Sequence, residues 1–226
     1  MAEIIKKNHK GIEYWVKGTN PKLLILSGTH GDEYGVIEHI REYIENNELP
    51  DFIYVPEVSP SAVHLKTRKN INGVDLNRSF KKGVTEPEAI ANMEIVQGQH
   101  FDKCITFHED LEDRGVPQYY IYDCTTCSEN DNNGYLDQMR RDLLSKGYQA
   151  LNGIDDTEDP GLGHVAVDGY ISIPGDYTDD SHGTYETWGI VNKVFKRYLN
   201  PEVPSMLSPA QKKEMVNIMF KYFLQA

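Results

Sequence analysis

Leu23-Leu-Ile-Leu-Ser-Gly-Thr-His-Gly-Asp-Glu-Tyr-Gly-Val-Ile37 passes from four apolar residues, through a short polar loop, into an amphipathic segment. The run Leu23–Leu26 reads as a strand buried on both faces, the pattern of a parallel sheet covered by helices. From Tyr34 to Asn46, Val36, Ile37, Ile40 and Ile44 fall at helical spacing, with charged residues on the opposite face. The reading is strand, polar loop, helix. In that loop stand a histidine and, three residues later, a glutamate, His30 and Glu33.

The same alternation extends in both directions. Ile12 to Val16 reads as an earlier strand and Phe52–Val55 as a later one. A long polar loop through Arg78 follows, and Thr85-Glu-Pro-Glu88 has the Thr-x-x-Glu spacing of a capping box opening a helix to about Gln99. Cys104–Phe107 and Tyr119–Tyr122 read as strands, Tyr135 to Leu144 as a helix, and Thr184–Trp188 as strand-like. Two helices are expected beyond it, the last starting at Ser208-Pro-Ala-Gln211 with its stripe on Met215, Val216, Met219, Phe220 and Phe223. Strands alternating with helices imply an α/β fold with a largely parallel sheet.

The chain has 226 residues, enough for one large domain, taken as 1–226, to bury a core without disulfides or a structural metal. A formal net charge of −12 argues against nucleic acid, whose binding draws on concentrated Lys/Arg. A small or peptidic substrate suits it better. No apolar run approaches the ~20 residues needed to cross a bilayer, and the N-terminal stretch lacks the apolar core of a signal peptide. The expected location is the cytoplasm, with no membrane partner. Cys104, Cys124 and Cys127 are an odd set for disulfides. The single Cys124-Thr-Thr-Cys127 spacing carries little weight as a zinc signal.

In an open parallel sheet, ligands bind beyond the carboxyl ends of the strands. His30 and Glu33 follow one such end and His108 another, so two distant segments can meet there. Two imidazoles and one carboxylate make a three-ligand zinc site with a fourth position for water. Taken singly, each has a plainer reading: a loop histidine, a carboxylate in a first helical turn, a hydrogen-bonded strand end. Gly73-Val-Asp-Leu-Asn-Arg-Ser-Phe80 adds Asn77 beside Arg78, an amide and a guanidinium able to grip one carboxylate. Arg68 supplies a second cation on the same loop, and for either arginine a surface ion pair is the plainer alternative.

His30-Gly-Asp-Glu33, Thr67-Arg-Lys-Asn70, Gly73 to Phe80 and Phe107-His-Glu-Asp110 together resemble the zinc metallocarboxypeptidase family, including its short bacterial members that act on murein peptides. They also resemble the related succinylglutamate desuccinylase and aspartoacylase group. The similarity runs from about Leu23 to Trp188. It implies a three-layer α/β domain whose mixed, largely parallel central sheet is flanked by helices. It further implies one zinc ion on His30, Glu33 and His108, a substrate carboxylate on Asn77 and Arg78, and a carbonyl polarised by Arg68. The family's general base lies on a late strand, and its match here is Glu186. A tyrosine that covers the substrate matches Tyr170 first and Tyr177 next.

The expected activity is hydrolysis of an amide next to a free carboxylate, on short peptides, including murein-derived ones. An N-acyl amino acid amidohydrolase and an inactive carboxylate-binding homologue are the alternatives. Two departures stand out: Ser59-Pro60 replaces the usual Asn-Pro, and the chain lacks room for the C-terminal β-domain of the aspartoacylase group.

Overall fold

The computed structural model describes residues 3–126, 133–157 and 163–225. In chain order the elements are β1 (Ile4–His9), β2 (Ile12–Lys17), β3 (Leu23–Leu26), α1 (Ile37–Asn46), β4 (Phe52–Val55), α2 (Pro60–Leu65), α3 (Pro87–Ile95), β5 (Phe101–Thr106) and β6 (His108–Asp110). Then come β7 (Gln118–Thr125), α4 (Asn133–Ser145), β8 (Gln149–Ala150), β9 (Gly153–Ile154), β10 (Val165–Ala166), β11 (Tyr170–Pro174), α5 (Tyr185–Val191), β12 (Phe195–Pro204) and α6 (Pro209–Phe223). Short 3-10 turns cover Gly31–Val36 and Leu76–Arg78.

The sheet runs β1-β2-β4-β3-β5-β12-β7-β11, with β6 beside β12 and β8 beside β7. The pairings from β4 through β3 and β5 to β12 are parallel, β12 to β7 is antiparallel, and β7 to β11 is parallel again. A mixed, mostly parallel sheet with helices on both faces is the architecture implied by the sequence.

Alternation along each strand sorts the apolar side chains into two cores. Leu23 and Ile25 of β3, with Phe52 and Tyr54 of β4, meet Ile40 and Ile44 of α1, Met139 of α4 and Phe220 of α6. Leu24, Leu26, Ile53 and Val55 turn to the other face, against Ala89 of α3 and Tyr185 and Trp188 of α5. Every residue of β3 is buried, which is why the run carries no polar position. Cutting Leu24 back to alanine would cost about 2–5 kcal/mol.

Four expectations from the sequence are corrected. The strand β1 is additional: a polar edge strand, IIKKNH, whose only mark is the tight Lys10–Gly11 turn at φ 51° and 91°. The capping box at Thr85 does not form; α3 starts at Pro87 after Glu86, and the Glu86 carboxylate instead accepts hydrogen bonds from Asn70 and Asn72. Thr184–Trp188 is not a strand. Thr184 caps α5 by accepting from Thr187 N, and Tyr185 and Trp188 are buried at helical spacing, which outweighs the β-propensity of TYETW. Only one helix ends the described chain, because 195–204 forms β12 in the middle of the sheet. Pro201, which has no N–H, falls where the partner strand is interrupted: residues through Leu199 pair with β5 and those from Glu202 pair with β6. The final helix is as read, with the Ser208–Gln211 capping box formed and its five stripe residues buried.

Candidate metal centre

Strand β3 delivers His30 to the carboxyl edge of the sheet, and the 3-10 turn that follows folds Glu33 back onto it. Gly31 makes this possible: a Cβ there would lie 1.8 Å from the Ala62 carbonyl oxygen of α2, and its N–H donates to Thr67 O at 2.9 Å. The turn is thereby clamped to the start of the loop that carries Arg68.

His108 opens β6, which continues the line of β5 along β12, and β5 is the strand next to β3. The Nδ1 atoms of His30 and His108 each lie 2.6 Å from a different oxygen of Glu33, and all three residues are buried. Their donor atoms lie within 4.8 Å of one another. Two imidazoles and one carboxylate, packed at the ends of rigid strands, suit zinc and leave room for a further ligand from the cavity side. Asp75 strengthens the fit. Its Oδ1 is 3.2 Å from His30 Nε2, its Oδ2 accepts from Arg68 Nε at 3.1 Å, and its Oδ1 also accepts from Asn77 N at 3.0 Å. A carboxylate on the far ring nitrogen orients a metal-binding histidine and leaves the near nitrogen for the ion. The sequence reading overlooked Asp75, although it stands inside the Gly73–Phe80 motif.

The electrostatics follow from this crowding. Burial alone would lower the His30 pKa, but the Glu33 and Asp75 carboxylates outweigh it and raise it to about 9. Burial alone would raise Glu33, yet the charges of His108 and His30 hold it well below the usual carboxylate range. Glu109, next to His108, is raised by burial against its ion pair with Lys212, and its other oxygen accepts the N–H of Gly35. Glu109 thus ties β6, the Glu33 turn and α6 together.

A cavity of about 730 Å³ opens onto this cluster, and Arg68, Asn77, Arg78 and Glu186 all line it together with His30, Glu33 and His108. Arg68 Nη1 lies 3.9 Å from Glu33 Oε1, and the Arg68 side chain is half-exposed. The Asn77–Arg78 turn is seated directly on the start of α5. Asn77 Oδ1 accepts from Tyr185 N at 3.1 Å, Phe80 N donates to Gly183 O at 2.8 Å, and a Cβ on Gly183 would meet Arg78 O at 2.3 Å.

Two carboxylates, Glu186 and Glu202, line the cavity beside this cluster. The late strand carries Glu202, which the sequence reading missed; it lies in register with His108 and lines the same cavity. Its pKa is pushed well up by burial and then by the charges of Glu33 and Asp110, which places it in the electrostatic field of the His–Glu–His cluster. Glu186 sits instead on the first turn of α5. It accepts from Tyr177 Oη at 2.5 Å, and burial raises its pKa against hydrogen bonds from Tyr177 and Cys124. Tyr177 lines the cavity, whereas Tyr170 turns away to donate to Asp123 at 3.0 Å. Cys124 is a buried thiol at the end of β7; Cys127 lies outside the described residues.

No protein-family model matches the sequence, and no curated protein matches it. Solved structures match it in shape. A presumptive metallopeptidase of Shewanella baltica OS155 superposes with a TM-score of 0.75 at 18% identity, over 98% of this chain and 85% of that one. A metallo-carboxypeptidase of Burkholderia cenocepacia gives 0.60 at 15% identity, over 99% of this chain and 64% of that one. Murein-tripeptide amidase MpaA of Escherichia coli O157 gives 0.60 at 16% identity, over 97% of this chain and 91% of that one. The fold is therefore carboxypeptidase-like.

Proposed function

We propose that this protein is a zinc-dependent hydrolase that cleaves the amide bond next to a free carboxylate, a carboxypeptidase-type activity on short peptides, murein-derived ones among them. The observation that carries the reading is the convergence of His30 Nδ1 and His108 Nδ1 on one Glu33 carboxylate at the floor of a cavity lined by two arginines. Similarity of fold to metallo-carboxypeptidases and to a murein-tripeptide amidase supports it.

His30, Glu33 and His108 would hold one zinc ion, which supplies Lewis acidity toward the scissile carbonyl and lowers the pKa of a bound water. Asn77 and Arg78 receive the substrate's terminal carboxylate, the planar guanidinium matching two oxygens. Arg68, tied to Asp75 and lining the cavity, would stabilise negative charge developing on the carbonyl oxygen. Glu202 takes the role of general base that the sequence gave to Glu186: it accepts a proton from the attacking water and returns one to the leaving amine. A carboxyl raised by burial and neighbouring negative charge suits both steps.

Metal analysis of the purified protein, with turnover on panels of peptides and N-acyl amino acids, tests the reading. One equivalent of zinc and hydrolysis of peptides with a free C-terminal carboxylate are expected. Faster cleavage of an N-acyl amino acid than of any peptide would move the protein to the amidohydrolase class.

A further inference from the structure

Helix α6 packs through an apolar stripe, Met215, Val216, Met219, Phe220 and Phe223, all of it buried. One turn earlier the same stripe begins with a charge. Lys212 stands at helical spacing ahead of Met215 and Met219, and its side chain is only 11% exposed. Two effects disfavour a lysine there: burial strips water from the ammonium, and the positive end of the helix repels it. Its neighbour Lys213 shows the ordinary alternative, an exposed pair with Glu42 at 2.8 Å.

Lys212 is met by Glu109, which is buried next to His108. One carboxylate oxygen of Glu109 takes the ammonium, and the other accepts the N–H of Gly35, two residues after Glu33. The Glu109 N–H lies 3.4 Å from Glu33 Oε2, the oxygen that also faces His108 Nδ1. Gly35 admits the pair so closely that a Cβ there would lie 2.7 Å from Lys212 Nζ and 2.8 Å from a Glu109 oxygen. Glu33 and His108 therefore share one buried strut, and the residue that aims it comes 103 positions later in the chain. Lys212 does not line the cavity, so its part is in geometry and not in the chemistry.

We propose that Lys212 is a positioning residue of the metal centre. Acting through Glu109, it holds the Glu33 turn against β6, so that zinc affinity depends on the docking of helix α6. The inference rests on the zinc-site part of the hydrolase reading.

Zinc affinity, measured by competition with a chelator, tests it in the wild type, Lys212→Met, Lys212→Arg and Lys213→Met, each checked for folding by circular dichroism. Lys212→Met removes the charge and keeps the length, and should bind zinc at least about tenfold more weakly. Lys212→Arg should restore most of the affinity, and Lys213→Met, on the same helix, should match the wild type. A merely structural lysine would lower the stability of the metal-free protein and leave the affinity of the folded form unmoved. A folded Lys212→Met with wild-type affinity overturns the inference, as does an equal loss in Lys213→Met.

A second measurement needs no variant. Coupling is reciprocal, so zinc added to the wild type should slow hydrogen exchange at the start of α6 more than at its end. Equal protection at both ends overturns the inference even if Lys212→Met does not fold. Zinc binding that depends on Lys212, in a protein that hydrolyses no peptide, would overturn the hydrolase reading and leave the strut standing. A wild type that binds no zinc removes both.

Discussion

Glu33 and Glu186 stand in equivalent local settings, each in the first turn of a helical segment and each facing one cavity. Their surroundings drive them in opposite directions. Glu33 is buried, yet two imidazoles hold it ionised; Glu186 has a phenol and a thiol for company, and burial pushes its pKa up. Local position thus says little about what a carboxylate does. The charge of its neighbours, most of them distant in sequence, decides which way its pKa moves.

The comparison can be broken at its strong side first. His108→Ala leaves Glu33 with one imidazole and removes a donor from the cluster. We expect loss of stoichiometric metal, measured by elemental analysis, and activity at background. Next, Glu202→Gln should lower kcat by about 10²–10⁴-fold for every substrate, the usual contribution of a general base. Metal content should stay unchanged. If Glu186→Gln abolishes turnover on all substrates and Glu202→Gln does not, the two roles are reversed. Asp75→Asn removes the carboxylate behind His30 and should weaken metal affinity by about 10–100-fold in a competition titration with a chelator.

Smaller effects sharpen the same contrast by probing the frame. Gly31→Ala would force the Glu33 turn away from α2, and a drop in stability of about 1–3 kcal/mol in denaturant titration is expected. At the far side of the sheet, burial and then the charge of Arg197 lower the Lys103 pKa to about 8. Between that value and the unfolded pKa near 10.4, the unfolded chain binds more protons than the folded one. Stability should therefore rise with pH across this window, and Lys103→Met should flatten the slope.

Much of this was legible in the sequence for a physical reason. Strand β3 is apolar at every position because both its faces are covered, and His30 and Glu33 follow within one turn, so their proximity is local. His108 needed only the rule that parallel strands present their carboxyl ends together. Glu202 was hidden because Asn200-Pro201 reads as a break, and only the interrupted pairing of β12 with β5 and β6 accommodates a proline in a central strand. Glu186 was misplaced because Thr, Tyr and Trp favour strands, whereas the Thr184 cap and the burial of Tyr185 and Trp188 decide for a helix. Tyr170 was placed before Tyr177 on sequence position alone; it is Tyr177, in the loop after β11, that lines the cavity.

The order of the sheet also has a consequence in time. Strand β12 lies between β5 and β7 although it is the last of the described strands in chain order. During synthesis the earlier strands can pair on either side of a slot that stays open until residues 195–204 emerge. Such long-range pairing is slow to form. Glu202 arrives with that strand, so a ribosome-bound chain that already brings His30 and Glu33 together still lacks its proposed base. If the proposed hydrolase reading holds, a protein built in this order stays inert until its sheet is closed.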